Sequence, residues 1–303
     1  MPLSMNAAIV QHASTSRPAA RSVYLRELRE SFVELVASRS LLYQFMLRDL
    51  RIRYKQAILG FAWGLLMPAL IVLGGFIARS AMGHIGLDSI ASDLAAIIVK
   101  AIPWAFFVGS VSFATNSLVA NLPVVTKIYF PRSVLPLAAV AAHAVDAAVA
   151  SVVAGVVLGF MGTALSMAML WVPVLALLIV FLTAAAALFF SCINLFFRDV
   201  KYLVQVVLMF GIFFTPVFFD TSMFSSRGAH LLMLNPLTPL LEGLRLAVLQ
   251  GHNIALPLMT NAPATGEVWS PWFLLYSTVW SLGGFGLAML VFHRLEFLFA
   301  EHI

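Results

Sequence analysis

The chain has 303 residues, of which 62% are hydrophobic and only 10% charged, whereas soluble globular proteins carry about 25% charged residues. Its formal net charge is +5, and its mean hydropathy of +0.98 exceeds what a single soluble core could bury. These values exclude a soluble enzyme, a nucleic-acid-binding domain and a disordered chain, and they predict an integral membrane protein.

The region before the first long apolar stretch is predicted to form a flexible tail over residues 1–21 and an amphipathic helix over 22–57. In the first part of that helix, apolar side chains recur at helical spacing with charged residues on the other faces: Leu25, Leu28, Phe32 and Leu35. Such a helix lies along a membrane surface. Residues 58–303 are predicted to form one transmembrane domain.

Six apolar stretches are long enough to cross a bilayer, whose hydrocarbon core needs about 20 helical residues. Their apolar runs are continuous, so helices are favoured over barrel strands, whose residues alternate. The predicted spans cover 58–78, 97–118, 134–159, 169–195, 202–219 and 272–292. The fold class is therefore an all-α membrane protein with six transmembrane helices and an N-terminal amphipathic interfacial helix.

A further apolar segment, over residues 230–249, is predicted not to span the membrane. Asn235, Pro236 and Pro239 interrupt it, and it carries Glu242 and Arg245. Irregular backbone at membrane depth must be buried in protein or face water. We therefore predict re-entrant helices on the periplasmic side, before the last span.

Basic residues give the orientation. Under this topology, fourteen of the eighteen Lys and Arg residues lie on one side of the membrane. Cytoplasmic loops carry the excess of Lys and Arg in membrane proteins. Both termini are therefore predicted to face the cytoplasm.

Motifs for bond chemistry are missing from the sequence. It contains no G-x-x-x-x-G-K-[ST] phosphate loop, no H-E-x-x-H and no G-x-S-x-G, and Cys192 is its only cysteine. We therefore predict no catalytic residue, no metal site and no cofactor in this chain.

Two ionisable residues lie inside predicted spans, where each is costly. Lys100 is near the outer end of its span, which favours a side chain that snorkels toward the interface. Asp146 lies one helical turn beyond His143, which favours a structural polar contact between helices. A proton relay through this pair is the alternative.

Four motifs occur in order along the chain. They are RDLRIRYK at 48–55, followed by Leu59, Gly60 and Trp63; NLPVVTKIYFPR at 121–132; NLFFRDV at 194–200; and NPLTP at 235–239. This pattern resembles the ABC-2 type permeases that export bacterial surface polysaccharides, the O-antigen (Wzm-type) and teichoic-acid exporters. The resemblance extends from about Leu41 to Ile303.

The resemblance implies a permease without enzymatic activity in the bacterial cytoplasmic (inner) membrane. Two copies of the chain would form a homodimer with two separate ATPase subunits, which would hold ATP and Mg²⁺. The implied substrate is a glycan on a polyprenyl pyrophosphate lipid. Membrane lipids are the other expected partners, and no nucleic acid is expected.

The resemblance also assigns site residues. Those expected to couple to the ATPase are Arg48, Asp49, Arg51, Arg53, Lys55, Thr126, Lys127, Tyr129, Phe130, Pro131, Arg132, Arg198 and Asp199. Those expected along the substrate path are Trp63, Trp104, Phe106, Phe107, Phe213, Phe214 and Pro216. Those expected at the outer gate are Asn235, Pro236, Glu242 and Arg245.

Several alternatives remain open from the sequence. The basic stripe at 48–55 could also bind the anionic pyrophosphate, since Arg pairs well with phosphate, and this assignment competes with ATPase docking for the same residues. The chain as a whole is also compatible with an ABC-2 permease for a small molecule or lipid, and less well with a proton-coupled transporter using Asp146 and His143. A transferase acting on polyprenyl lipids is the weakest alternative, because no carboxylate cluster suited to Mg²⁺ occurs on the cytoplasmic side.

Overall fold

The computed structural model describes residues 20–55, 62–81, 90–127, 130–224, 226–258 and 269–296. Most of the predicted tail and the side chain of Trp63 lie outside the described residues. The α-helices in these ranges are α1 (Ala20–Ala37), α2 (Arg39–Tyr54), α3 (Ala62–Ala81), α4 (Ile90–Thr115), α5 (Ser117–Ala120), α6 (Leu122–Lys127), α7 (Val134–Phe160), α8 (Trp171–Phe196), α9 (Val200–Phe214), α10 (Ser226–Met233), α11 (Leu237–Leu249) and α12 (Pro271–Glu296). Within the described residues there is no strand, and the only β-pairing is one isolated bridge between Leu258 and Trp269.

The N-terminal amphipathic region consists of two helices instead of one continuous stripe. The chain turns at Ser38, whose N–H bonds to the carbonyl of Glu34 at 2.9 Å, and α2 starts at the next residue. α1 packs against α12, and α2 packs along α7. Both helices therefore contact the helical bundle directly.

Five described helices are long and apolar enough to cross a membrane. They are α3, α4, α7, α12 and α8 together with the short 3₁₀ helix that precedes it, Met167–Leu170. Each agrees with a predicted span to within a few residues at its ends, except that α4 begins earlier, at Ile90. The chain is thus an all-α, multi-pass membrane protein.

The remaining predicted span, over 202–219, is a shorter apolar helix. α9 has 15 residues, which is about 22 Å of helix and less than the hydrocarbon thickness of about 30 Å. The helix ends because Pro216 disfavours a helical conformation at the residue before it, and Thr215 is extended, with φ −121° and ψ 125°. Residues 215–219 therefore leave the helix axis.

The segment predicted to be re-entrant is broken as expected. Helical residues 227–233 and α11 meet at an angle of 108° across a short break that contains Asn235 and Pro236. Proline removes one backbone hydrogen bond and disfavours a helical conformation at the residue before it, which favours a break at this point. The two arms do not form a single straight span.

The core lies where α4, α8 and α11 meet. Leu175 of α8 and Leu240 and Leu241 of α11 are completely buried there. A second cluster joins α8 and α12 to the loop after α6, around Leu188 and Phe292. By contrast, α9 buries only Val204 and Leu208 within the described chain, and its other apolar side chains are largely exposed.

Candidate functional site

An aromatic groove of about 470 Å³ runs between α4, α9 and the start of α11. The residues that shape it are Trp104, Phe107, Phe210, Phe214, Thr215 and Asn235. We call this feature the aromatic groove. It brings together three residues predicted for the substrate path and one predicted for the outer gate.

The walls of the groove are held by specific contacts. The rings of Trp104 and Phe107 lie 6.1 Å apart between centroids, one turn apart on α4. Gly211 allows α9 to approach, because a Cβ there would lie only 3.0 Å from the Trp104 ring. Asn235 donates from Nδ2 to Thr215 Oγ1 at 2.9 Å, and its Oδ1 accepts from the Leu237 N–H at 3.2 Å.

This chemistry suits a ligand with both apolar faces and hydroxyl groups. Aromatic rings offer flat apolar surface, and a few placed polar groups fix the orientation of a bound molecule. A sugar ring has both kinds of surface. The aromatic groove is therefore compatible with the predicted glycan path.

Other predicted path residues lie elsewhere. Phe106 is buried and faces cavities beside α7, away from the aromatic groove. Phe213 is 61% exposed and does not line the groove, and Pro216 is buried behind Thr215. Helical geometry explains the separation, because neighbouring residues on a helix point in different directions.

A second feature is a cluster of buried charges where α3 ends, α4 begins and α11 packs. Its members, which we call the charge cluster, are Arg79, Asp93, Lys100, Asp220, Glu242 and Arg245. The three cations balance the three carboxylates. Arg79 and Lys100 are fully buried, so this balance is what makes their burial tolerable.

Asp220 is the carboxylate that two of the buried cations share. Lys100 donates from Nζ to Asp220 Oδ1 at 2.7 Å and to the carbonyl of Phe219 at 2.6 Å. Arg79 donates from Nη2 to Asp220 Oδ2 at 2.7 Å and from Nε to the carbonyl of Phe218 at 2.6 Å. The loop after α9 is thus bound to α3 and α4 by side chain and backbone together.

The rest of the charge cluster extends to α11 and to the start of α4. Arg79 also donates to Asp93 Oδ1 at 2.7 Å. The predicted gate residues pair with each other, since Arg245 donates to Glu242 Oε1 at 2.8 Å from Nε and 2.6 Å from Nη2. Thr221 donates to the same oxygen at 3.3 Å.

The prediction that Lys100 snorkels is wrong. Its ammonium group turns inward because Asp220 offers an opposite charge at 2.7 Å. Burial by itself would raise the pKa of Asp220, but Lys100, Arg245 and Arg79 outweigh burial and hold that pKa well below its usual range. Asp220 is therefore a carboxylate at physiological pH.

The other intramembrane acid, Asp146, joins α7 to α2. It forms an ion pair with Arg53 and accepts a hydrogen bond from the Tyr54 hydroxyl at 2.5 Å. Arg53 also lies 3.3 Å from His143 Nδ1. Burial and the bond to Asp146 raise the pKa of Tyr54 to about 12, so Tyr54 donates as a neutral phenol. These contacts match the structural interpretation of Asp146, and they direct Arg53 into the bundle.

The predicted coupling loop has an exposed part and a buried part. Thr126 and Lys127 are exposed at the end of α6, whereas Phe130 is buried, with its ring 5.7 Å from that of Phe45 in α2. Tyr129 lies outside the described residues. Past Pro131, which is half-buried, the Arg132 guanidinium donates to the carbonyl of Glu296 in α12 at 2.8 Å. Phe130 and Arg132 thus bind helices of their own chain.

The other residues predicted for ATPase coupling lie at two places. On α2, Arg48 pairs with the buried Asp49 at 2.9 Å, while Arg51 and Lys55 are exposed. Between α8 and α9, Arg198 and Asp199 are both exposed, and no ion pair joins them in the part of the chain that the structure describes.

Sequence reasoning missed several residues that the structure brings together, above all Arg79, Asp93, Asp220 and Thr215. A signal was available for the first three. All of them fall on the same side of the membrane in the predicted topology as Lys100, and opposite charges on one side of a bundle tend to pair. Thr215 offered no such signal, because its role depends on the position of Asn235.

Comparison with known proteins gives full-length relatives. Two O-antigen export system permease proteins of Klebsiella pneumoniae, both named RfbA, are each 28% identical to this chain over 255 residues, which cover 84% of this chain and 91% of the relative. The protein of the same name from Myxococcus xanthus is 30% identical over 234 residues, which cover 76% of this chain and 88% of the relative. No family model matches the chain.

Proposed function

The chain belongs to the O-antigen export system permeases, and from this membership we propose that it forms the conduit for a lipid-linked O-antigen polysaccharide. It is the transmembrane subunit of an ABC exporter. The observation that carries the proposal is similarity over 88% or more of each relative's own length.

The aromatic groove supports a glycan as the substrate. Aromatic rings line it, among them the exposed Phe210 and Phe214, together with the Asn235 amide and the Thr215 hydroxyl. A polymer must slide through a conduit, so it needs many weak contacts instead of one tight site. Flat apolar surface with sparse polar groups offers contacts of that kind.

Exposed faces of α3 and α9 support a homodimer. On α3 the exposed side chains include Met67, Leu70, Leu73 and Ile77, and on α9 they include Val207, Met209 and Phe214. In a C2 dimer the same patch on each protomer faces its partner. These two helices would then enclose the passage between the protomers.

A separate ATPase subunit would supply the free energy, with ATP and Mg²⁺ bound there and no enzymatic step in this chain. Its docking surface would be the exposed cytoplasmic residues Arg51, Thr126 and Lys127. Phe130 and Arg132 would transmit the conformational change of the ATPase to the helices, because they contact α2 and α12. The chain would lie in the bacterial inner membrane with both termini in the cytoplasm. ATP is available to the ATPase on that side.

The test is export with and without the ATPase. Removing the ATPase subunit, or disabling its ATP hydrolysis, is expected to abolish surface O-antigen while lipid-linked glycan accumulates inside the cell. Surface labelling with a glycan-specific antibody measures the first quantity and lipid extraction the second.

Two results would contradict the proposal. Unchanged surface glycan without ATP hydrolysis would exclude an ATP-driven exporter. Transport in ATP-depleted vesicles under a proton gradient, lost on Asp146→Asn, would instead establish the proton-coupled alternative.

A further inference from the structure

We propose that Asp220 is the positioning residue of the outer gate, holding the segment 215–221 between α3 and α4 on one side and α11 on the other. The segment in this position seals the conduit between export cycles. The inference rests on the proposed function and adds to it the residue on which closure depends.

The first observation is how firmly the segment is attached to α3 and α4. Three consecutive residues, Phe218, Phe219 and Asp220, accept four hydrogen bonds of 2.6–2.7 Å from only two side chains. Those two side chains, Arg79 and Lys100, are fully buried. The segment therefore moves relative to α3 and α4 only if both cations lose their partners.

The second observation is that hydrogen bonds attach both ends of the same segment to α11 or to the residues just before it. At one end, Thr215 accepts a hydrogen bond from Asn235 at 2.9 Å. At the other, Thr221 donates to Glu242 at 3.3 Å, and Arg245 lies 3.7 Å from Asp220 Oδ1. Displacement of α11 must therefore pull on the segment, whose first residue lines the aromatic groove.

The third observation is the charge balance. With Asp220 ionised, the charge cluster is neutral; without it, Arg79, Lys100 and Arg245 face only two carboxylates. An uncompensated buried cation is strongly unfavourable. Lys100 is the cation left without its ion-pair partner, and because it is completely buried, water reaches it only when the segment separates from its neighbours, which is the open state of the gate.

The test measures leakage through the resting transporter. The chain, assembled with its ATPase subunit, is reconstituted into liposomes loaded with potassium ions and a small fluorescent dye, and release is recorded without ATP. Asp220→Asn is expected to raise release per assembled complex by about tenfold, as a shift in the open population does. Asp220→Glu keeps the charge and should leak less than Asp220→Asn.

Asp93→Asn is the matched control. Asp93 binds the same Arg79 at 2.7 Å, but it belongs to α4 and not to the segment 215–221. This variant also removes one carboxylate from the charge cluster, but Arg79 keeps its ion pair with Asp220 and the segment 215–221 keeps all four of its hydrogen bonds to Arg79 and Lys100. It should therefore release dye at about the wild-type rate. Equal leakage from Asp93→Asn and Asp220→Asn would overturn the inference, because loss of charge alone would then explain it.

Dye release per assembled complex distinguishes a positioning role of Asp220 from a purely stabilising one. If Asp220 only stabilises the fold, Asp220→Asn lowers the yield of complex but leaves release per complex unchanged, and the inference fails. If Asp220→Asn does not assemble, the double variant Asp220→Asn with Lys100→Gln keeps the charge cluster neutral and takes its place. The double variant lacks the hydrogen bonds from Lys100 to the segment, so it should still release dye faster than the wild type. If it assembles and seals like the wild type, the inference is overturned, because charge neutrality alone would then close the gate.

The assay needs neither glycan nor ATP hydrolysis. Failure of the wild-type complex to export glycan would count against the proposed function alone. Normal export together with a sealed Asp220→Asn variant would count against the role of Asp220 alone.

Discussion

Phe213 and Phe214 show how much a single position matters in this protein. Both are phenylalanines on the last turn of α9 and both are mostly exposed, at 61% and 70%. Only Phe214 lines the aromatic groove, because the next residue on a helix points about 100° away. The pair therefore separates a position in the aromatic groove from exposure as such.

We expect Phe214→Ala to lower glycan export by about five- to tenfold, since an aromatic contact contributes about 1–1.5 kcal/mol. The measurement is surface glycan per cell at matched amounts of the assembled transporter. Phe213→Ala is the control and should reduce export less. Equal losses in the two variants would argue that the aromatic groove is not on the substrate path.

Two charged residues inside the spans also show the effect of single positions. Lys100 and Asp146 both lie in spans, and in both cases the partner comes from another part of the chain: Asp220 from the loop after α9, and Arg53 from α2. Each charge thus fastens a non-spanning segment to a spanning helix.

At the scale of elements, the segment after α6 contacts two other helices. Phe130 packs on Phe45 of α2, and Arg132 binds the end of α12, while Lys127 faces outward. Phe130 and Arg132 thus give the segment after α6 direct contacts with both helices. The α2 helix in turn reaches Asp146 in the middle of α7.

We expect Phe130→Ala to uncouple ATP hydrolysis from export. A truncated buried phenylalanine leaves a cavity that costs about 3 kcal/mol and takes up movement that would otherwise be transmitted. The measurement is ATP hydrolysed per glycan exported in reconstituted complexes, and this ratio should rise.

Lys127→Ala is the contrasting variant. Its side chain is exposed and does not fill the core, so we expect weaker association with the ATPase and an unchanged ratio for the complexes that form. An unchanged ratio in Phe130→Ala as well would show that coupling does not pass through this loop.

For the whole molecule, the unburied face of α9 is the most informative surface. Soluble cores hide such side chains, but a membrane protein leaves them to lipid or to another subunit. Because α9 is only 15 residues long, it is too short to cross the hydrocarbon layer upright by itself. In the proposed homodimer, the second protomer would cover this face.

We expect a cysteine at position 209 of α9, where Met209 is 72% exposed, to cross-link two protomers in membranes. The native Cys192 is 1% exposed, and Cys192→Ser gives a background without thiols. Val152→Cys on α7 is the control, because Val152 is similarly exposed, at 69%, but lies on a different helix. Cross-linked dimers from position 152 and not from 209 would place the protomer interface elsewhere.

The sequence by itself determined the class of the protein, most of its spans and its family. Hydrophobicity and helical period are local quantities, and bilayer thickness sets the length of a span, so five helices could be located without knowing any contact. The break at Asn235 and Pro236 was equally local, because an asparagine and two prolines within five residues favour the end of a helix.

Only the tertiary structure decided which side chains meet. Asp220 and Lys100 are separated by 120 positions along the chain, and Asp146 and Arg53 by 93, so no periodicity links them. Periodicity also did not reveal that Phe214 lines the aromatic groove while Phe213 does not, or that Phe130 is buried. Such pairings depend on how the helices pack against one another, and that packing is a property of the whole bundle.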